Sequence, residues 1–359
     1  MGNYRVSPLL LAESATTATT KVIDLNVTDV ISRIMIVMKA TSAGTELAAH
    51  PAANISKVEL VDGSTVVTSL SGKEAQALEY YDTGVMPYNY LTDISGDVAM
   101  ATVNLNFGRK LWDSQLALDP TKFRNLQLKI THNYRTADTA ASAATLEAYA
   151  FLFDEKKPTP NGYLLAKEHY AYTPGASGTY EYIDLPLDYA LRQLMITAPV
   201  AAGYPHEVAN VVRLSEDNDK RVPLDMHTSV WQKFVNGMNP RIVEYGAFAF
   251  NSTPRAIYAT PYYDIHVAPM GLVDAKDLII EKYPLNEPFK VGITTSGNGN
   301  ALITGLMPHA AFTIPFGDQS DPSDWYEVGR IGSLEARITA GSKGSSGSVQ
   351  LVTQQMRRY

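Results

Sequence analysis

Seven histidines, His50, His132, His169, His206, His227, His266 and His309, are the first places to look for chemistry in this 359-residue chain. Imidazoles at i and i+2 on a strand point to one face and can share a metal ion. No two of the seven stand two or four residues apart, so that pairing is missing. His132, at the end of an alternating stretch, and His309, after Pro308, read as ordinary hydrogen-bonded or surface histidines. The absence of cysteine removes disulfides, thiolate ligands and cysteine nucleophiles. Neither a Gly-x-x-x-x-Gly-Lys-Ser/Thr phosphate loop nor a Gly-x-Ser-x-Gly elbow occurs. Gly297-Asn298-Gly299-Asn300 is glycine-rich and reads as a turn.

Among the acids, Asp217-Asn218-Asp219 offers hard oxygen donors of the kind calcium takes. Its spacing does not fit an EF-hand, and a hairpin turn accounts for it. Asp318, Asp321 and Asp324 are spaced by three and could bridge subunits through a cation. Tyr80, Tyr81, Tyr88, Tyr90, Tyr258, Tyr262 and Tyr263 lie in stretches read as connections. Tyrosine there serves either a partner surface or its own domain, because one end of the ring is apolar and the other wet. Arg357-Arg358 near the C-terminus is too small a basic cluster to claim nucleic acid. The expectation is therefore a protein that is not an enzyme, with no catalytic, cofactor-binding or metal residues and no cofactor.

Net charge points the same way. With 37 acids against 30 bases, giving −7, the chain is not built to track a phosphate backbone, and no sequence-specific nucleic acid binding is expected. Charged residues are 19% of the chain, below the usual quarter, which leaves surface for neutral residues or partners. No apolar run reaches the length of about 18 residues that a membrane helix needs.

The elements behind these residues repeat. Val22-Ile23-Asp24-Leu25 leads into Ile31-Ser32-Arg33-Ile34-Met35-Ile36, and Tyr182-Ile183-Asp184-Leu185 leads into Leu191-Arg192-Gln193-Leu194-Met195-Ile196, at a constant offset of 160 residues. Further matches keep the same order. Ile55–Leu60 and Thr65–Thr68 around Asp62-Gly63 form a hairpin signal, matched by 211–214 and 221–224. Ser71-Gly72-Lys73-Glu74 has capping-box form, matched by Ser229-Val230-Trp231-Gln232. Val103–Gly108 matches Phe312–Gly317, Asp119-Pro120 matches Asp321-Pro322, and Leu126–Thr131 matches Leu334–Thr339. The later half is longer, mainly between about 250 and 310. Many short alternating strands with turns every 8–12 residues indicate a sandwich or barrel, and a jelly roll of about eight strands needs roughly 150 residues. The reading is all-β: two tandem eight-stranded jelly rolls, a double jelly roll, with short helices in the connections. Residues 1–20 are an N-terminal arm, 21–154 the first jelly roll, 155–180 a linker and leading strand, and 181–359 the second jelly roll.

Asn104-Leu105-Asn106-Phe107-Gly108-Arg109, then Leu116-Ala117-Leu118-Asp119-Pro120, then Leu126-Gln127-Leu128-Lys129-Ile130 resemble the strand, Phe/Arg, Leu-Ala-Leu-Pro, strand pattern of the double jelly-roll major capsid proteins of icosahedral viruses, the tectivirus–adenovirus lineage. Asp119 departs from it by standing between Leu118 and Pro120. The resemblance implies a major capsid protein whose homotrimer has a pseudo-hexameric footprint and tiles an icosahedral virion shell. It implies as partners the chain itself, neighbouring trimers, penton and minor capsid proteins and, where the virion has one, an internal membrane. It places the chain in the capsid shell of the virion, after assembly in the host cytoplasm. Two other readings share the fold pattern. A two-domain β-sandwich binding module, such as a viral spike, fibre or glycan-binding protein, would not tile. A bicupin enzyme would need the histidine spacing that is missing.

Overall fold

A computed structural model describes residues 3–250, 255–270, 278–281, 289–293 and 297–359. The first half runs β1 (Tyr4–Ser14), β2 (Thr19–Asp24), β3 (Ile31–Thr41), β4 (Ile55–Asp62), β5 (Thr65–Leu70), α1 (Gly72–Thr83), β6 (Asn89–Thr92), β7 (Val98–Asn106), β8 (Leu126–His132) and β9 (Ala143–Phe153). The second runs β10 (Gly162–Tyr172), β11 (Tyr180–Asp184), β12 (Ala190–Thr197), α2 (Pro205–Val208), β13 (Ala209–Glu216), β14 (Arg221–His227), α3 (Thr228–Met238), β15 (Ile242–Phe250), β16 (Arg255–Ile257), β17 (Pro261–Met270), β18 (Leu278–Glu281), β19 (Phe289–Ile293), β20 (Gly297–Pro308), β21 (Ala311–Pro315), β22 (Leu334–Ala340) and β23 (Val349–Arg358).

Each half builds the same pair of four-stranded layers. In the first, β1-β9-β3-β7 faces β2-β8-β4-β5; in the second, β10-β23-β12-β21 faces β11-β22-β13-β14. Alternation explains why these layers close on a core. Strands β8 and β22 each bury every second residue, Leu126, Leu128 and Ile130 in one, Leu334, Ala336 and Ile338 in the other. Ile34, Ile36, Val103, Leu128 and Ala148 meet inside roll one, and Leu194, Leu214, Phe312, Ala336 and Leu351 inside roll two. Residues 1–20, read as an arm, include β1, which pairs antiparallel with β9 from Tyr4↔Phe153 to Ser14↔Thr145 and forms the open edge of its layer.

The rolls are not beads on a string. Strand β5 pairs in parallel with β10 at Ser69↔Lys167, so one layer of roll one continues into a layer of roll two as an eight-stranded sheet. The extra length of the second half forms a second continuation. Strand β15 pairs in parallel with β6 at Leu91↔Gly246, extending the other layer of roll one through β6-β15-β20-β17. Gly246 sits there because a Cβ would come within 2.5 Å of the Phe248 ring and 2.9 Å of the Leu91 carbonyl.

Three local expectations change. Gly297-Asn298-Gly299-Asn300 opens β20 and pairs with 247–250 of β15 instead of turning; the partner strand supplies the ladder that a lone glycine run lacks. The helix expected at Ser229 begins earlier, with His227 at its N-cap and no side-chain cap. Tyr80 and Tyr81 belong to α1, which runs on to Thr83 and stops at Gly84 in the left-handed region, φ 73°.

Candidate functional site

The polar side chains that sequence distance kept apart converge on α1, between the rolls. Its start is set by the expected capping box: the Glu74 amide donates to Ser71 Oγ at 3.2 Å, and the Ser71 amide donates to Glu74 Oε2 at 2.7 Å. Gly72 lets the first turn approach the Pro51–Asn54 segment, where a Cβ would stand 2.4 Å from the Ala52 carbonyl. From there the helix turns one face to each roll.

Toward roll one, Glu79 accepts from Arg33 of β3 at 2.8 Å and from Asn104 of β7 at 2.8 Å. Toward roll two, Asp82 forms an ion pair with Arg192 of β12 and accepts from Gln193 at 2.6 Å and from Gln354 of β23 at 2.8 Å. Both carboxyls titrate above the ordinary range because burial penalises the charge, which the arginine beside each partly offsets. The Tyr81 hydroxyl donates to the Ala311 carbonyl at 2.7 Å, and the Tyr80 hydroxyl donates to that of Pro240. Leu78 and Asp82 share one small cleft with Leu164 and Ala166 of β10. Glu74, pushed up to about 7 by burial, also lies near Glu168 on the same strand.

A second knot joins roll one to the β15–β20 sheet. Gln76 donates to Asn89 at 2.7 Å and to the Thr102 carbonyl at 2.7 Å. Asn89 donates to Glu244 Oε1 at 3.2 Å, and Thr260 donates to the same oxygen at 2.8 Å. His50 Nδ1 accepts the Ala52 amide at 3.0 Å. That fixes the tautomer with a proton on Nε2, which lies 3.1 Å from Glu244. His309 Nε2 donates to Gln76 Oε1 at 2.8 Å, and its ring stands edge-on to His50 with centroids 4.8 Å apart. Burial, with His50 and Lys73 nearby, drives the His309 pKa well below its usual value. Glu244 titrates below the ordinary carboxylate range: burial works against the charge, but His50 and the Thr260 hydrogen bonds outweigh it. These are joints. Within them Glu74 Oε1, Asn104 Oδ1 and His309 Nδ1 are buried without a hydrogen-bond partner.

The other sequence candidates scatter. His132 is buried at the end of β8, His169 meets the Asp184 carbonyl at 2.7 Å, His206 stacks on Tyr204, and His266 is exposed beside Asp264. Asp217-Asn218-Asp219 is the turn between β13 and β14, all three in the left-handed region. Its carboxylates are occupied: Asp217 accepts the Gly332 and Ser333 amides at 2.7 and 3.0 Å, and Asp219 pairs with Arg213 at 2.9 Å. Asp318, Asp321 and Asp324 each accept a backbone amide, of Ser320, Ser323 and Asp318 respectively. Among the described residues no three His, Asp or Glu side chains converge on a metal position. Of the seven tyrosines singled out, Tyr88 alone is more than half exposed. Arg357 and Arg358 form the end of β23, paired with Tyr163 and Gly162, rather than a free tail.

No protein-family model matches the chain, and no curated protein matches it. Solved structures do. The MCP of STIV, the Sulfolobus Turreted Icosahedral Virus, superposes with TM-score 0.61 at 11% identity, over 99% of this chain and 97% of that one. The major capsid protein of bacteriophage PM2 gives 0.56 at 11% identity over 99% and 98%. VP54 of PBCV-1 gives 0.58 at 10% identity over 99% and 94%. The chain therefore has the double jelly-roll fold.

Proposed function

We propose that this chain is a structural shell subunit, the major capsid protein of an icosahedral virus. One observation carries the reading: 99% of this chain superposes on nearly the whole length of capsid proteins as distant as the STIV MCP and that of phage PM2. A fold shared in one domain would say little. Here the match spans 99% of this chain and 97–98% of those chains, so it takes in both rolls rather than one.

In this reading three copies associate, and their six rolls give a hexagonal outline that tiles a closed shell in the virion. Such trimers do not fit five-fold vertices, so a penton protein and minor capsid proteins complete the shell, which assembles in the host cytoplasm. Where the virion encloses a membrane, that membrane is a further neighbour. Buried polar joints suit the task, because they hold two rolls at one angle where a flexible linker would not. Negative-stain images of purified protein test the reading. Flat hexagonal particles support it. Elongated or single-subunit particles contradict it and favour the binding module.

A further inference from the structure

The internal repeat makes one surface conspicuous. Positions three, seven and eleven after the N-cap are Glu74, Leu78 and Asp82 in α1, and Val230, Phe234 and Met238 in α3. In α1 Glu74 and Leu78 are buried and the Asp82 side chain is 2% exposed, facing β10, β12 and β23 of the next roll. In α3 they are 52%, 53% and 53% exposed, an apolar stripe along one side of the helix at i, i+4 and i+8. The strand before each helix repeats the contrast. Strand β5 pairs with β10, whereas β14, its counterpart, is an open edge among the described residues. Roll one has the complementary gap, because β1, the counterpart of β10, is also an open edge. Unpaired edges are templates for another strand.

We propose that α3 and the open edge of β14 dock on the open β1 edge of roll one in a second copy of this chain. That contact repeats between subunits the joint that α1 and β5 make with β10 within one. The proposal rests on the shell reading and says which surfaces build it. Register supplies the partners. Phe151 stands opposite Arg33 of β3 as Gln354 stands opposite Gln193 of β12, and Val6 stands opposite Phe151 as Ala166 stands opposite Gln354. Met238 therefore meets Phe151 and Val6 of the neighbour where Asp82 meets Gln354 and Ala166 inside the chain. Val6 is 44% exposed. The tethered joint is polar and the untethered one apolar, as expected when burial must drive association without a covalent link. Each copy offers one face of each kind, so the contact is head-to-tail and closes into a ring when roll-to-roll rotations are equal.

The chain has no cysteine, so an engineered pair is unambiguous. Met238→Cys combined with Phe151→Cys is expected to give, on oxidation, bands of two and three chains on a non-reducing gel, while either single variant stays at one. Phe234→Glu alters an exposed residue and is expected to leave the far-UV circular dichroism spectrum of the folded chain unchanged while reducing the solution mass from three chains to one. A trimeric wild type whose paired cysteines do not cross-link, and whose Phe234→Glu variant stays trimeric, overturns this interface and leaves the shell reading standing. A monomeric wild type overturns both.

Discussion

Asp82, at the end of α1, and Arg192, in β12, form an ion pair across the boundary between the two rolls, and both side chains are 2% exposed. Their separation in sequence is 110 residues. Gln193 and Gln354 complete the carboxylate's partners, while Arg192 also donates to Gln354 at 2.8 Å and lies over the Trp325 ring at 5.6 Å. A charge pair buried this deeply holds geometry more than it adds stability.

Removing one partner is therefore costly. Asp82→Ala leaves a buried guanidinium without its counter-ion and should destabilise the chain by about 3–5 kcal/mol in a denaturant titration. Asp82→Leu with Arg192→Met removes both charges and should recover most of that loss. A double variant no more stable than Asp82→Ala would show that the pair does not act as a unit.

The tyrosine contacts should be smaller and separable. Tyr81→Phe keeps the ring and removes the donor to the Ala311 carbonyl, which is expected to cost about 1–3 kcal/mol for the orphaned acceptor. The check is the urea midpoint at an unchanged slope. No measurable shift would mean that water replaces the hydroxyl and that the contact does not tie the rolls.

Acid response follows from two groups of opposite sign. His309 has its pKa depressed by burial, so the unfolded chain binds the proton first and stability falls as pH drops below about 6.5. Glu74 is raised from 4.5 to about 7, so the folded chain binds the proton first and stability rises as pH falls through that window. Each is worth at most about 1.4 kcal/mol per pH unit. Between pH 7 and 5 the two oppose each other. His309→Gln should make the protein more stable on acidification, and Glu74→Gln should make it less stable. Parallel pH profiles for both variants would refute the assignment.

Divalent metals should not matter at the aspartate loop. The Asp318 and Asp321 carboxyls titrate below the ordinary range because each accepts the hydroxyl and amide of the serine two residues on. One oxygen of each, Oδ1, is committed to the turn. Unfolding temperature is expected to be equal in EDTA and in calcium. A rise of several degrees with calcium would show a cation site instead.

The repeat was legible because alternation and order survive divergence. Leu126–Thr131 and Leu334–Thr339 carry the same burial rhythm, and β2 and β11 keep an offset of 160 residues along with β3 and β12. The capping box at Ser71 was legible because both of its partners lie within four residues. The joint was not. Gln76, Glu79 and Asp82 look like a solvated helix face, yet Glu79 meets Arg33 of roll one, Asp82 meets Arg192 of roll two and Gln76 meets Asn89 beside the inserted sheet, and nothing local to α1 says so. His50 and His309 are separated by most of the chain, so no spacing rule could pair them. The open edge of β1 was hidden for a related reason: a Leu-rich arm and an edge strand look alike until β9 pairs with one side.

The most direct test of the account is the molar mass of the purified chain by light scattering across a concentration series. The expected value is three times 39.2 kDa over the whole range, since the proposed hexagonal outline takes six rolls and each chain supplies two. A mass that stays at 39.2 kDa even at the highest concentration would contradict it.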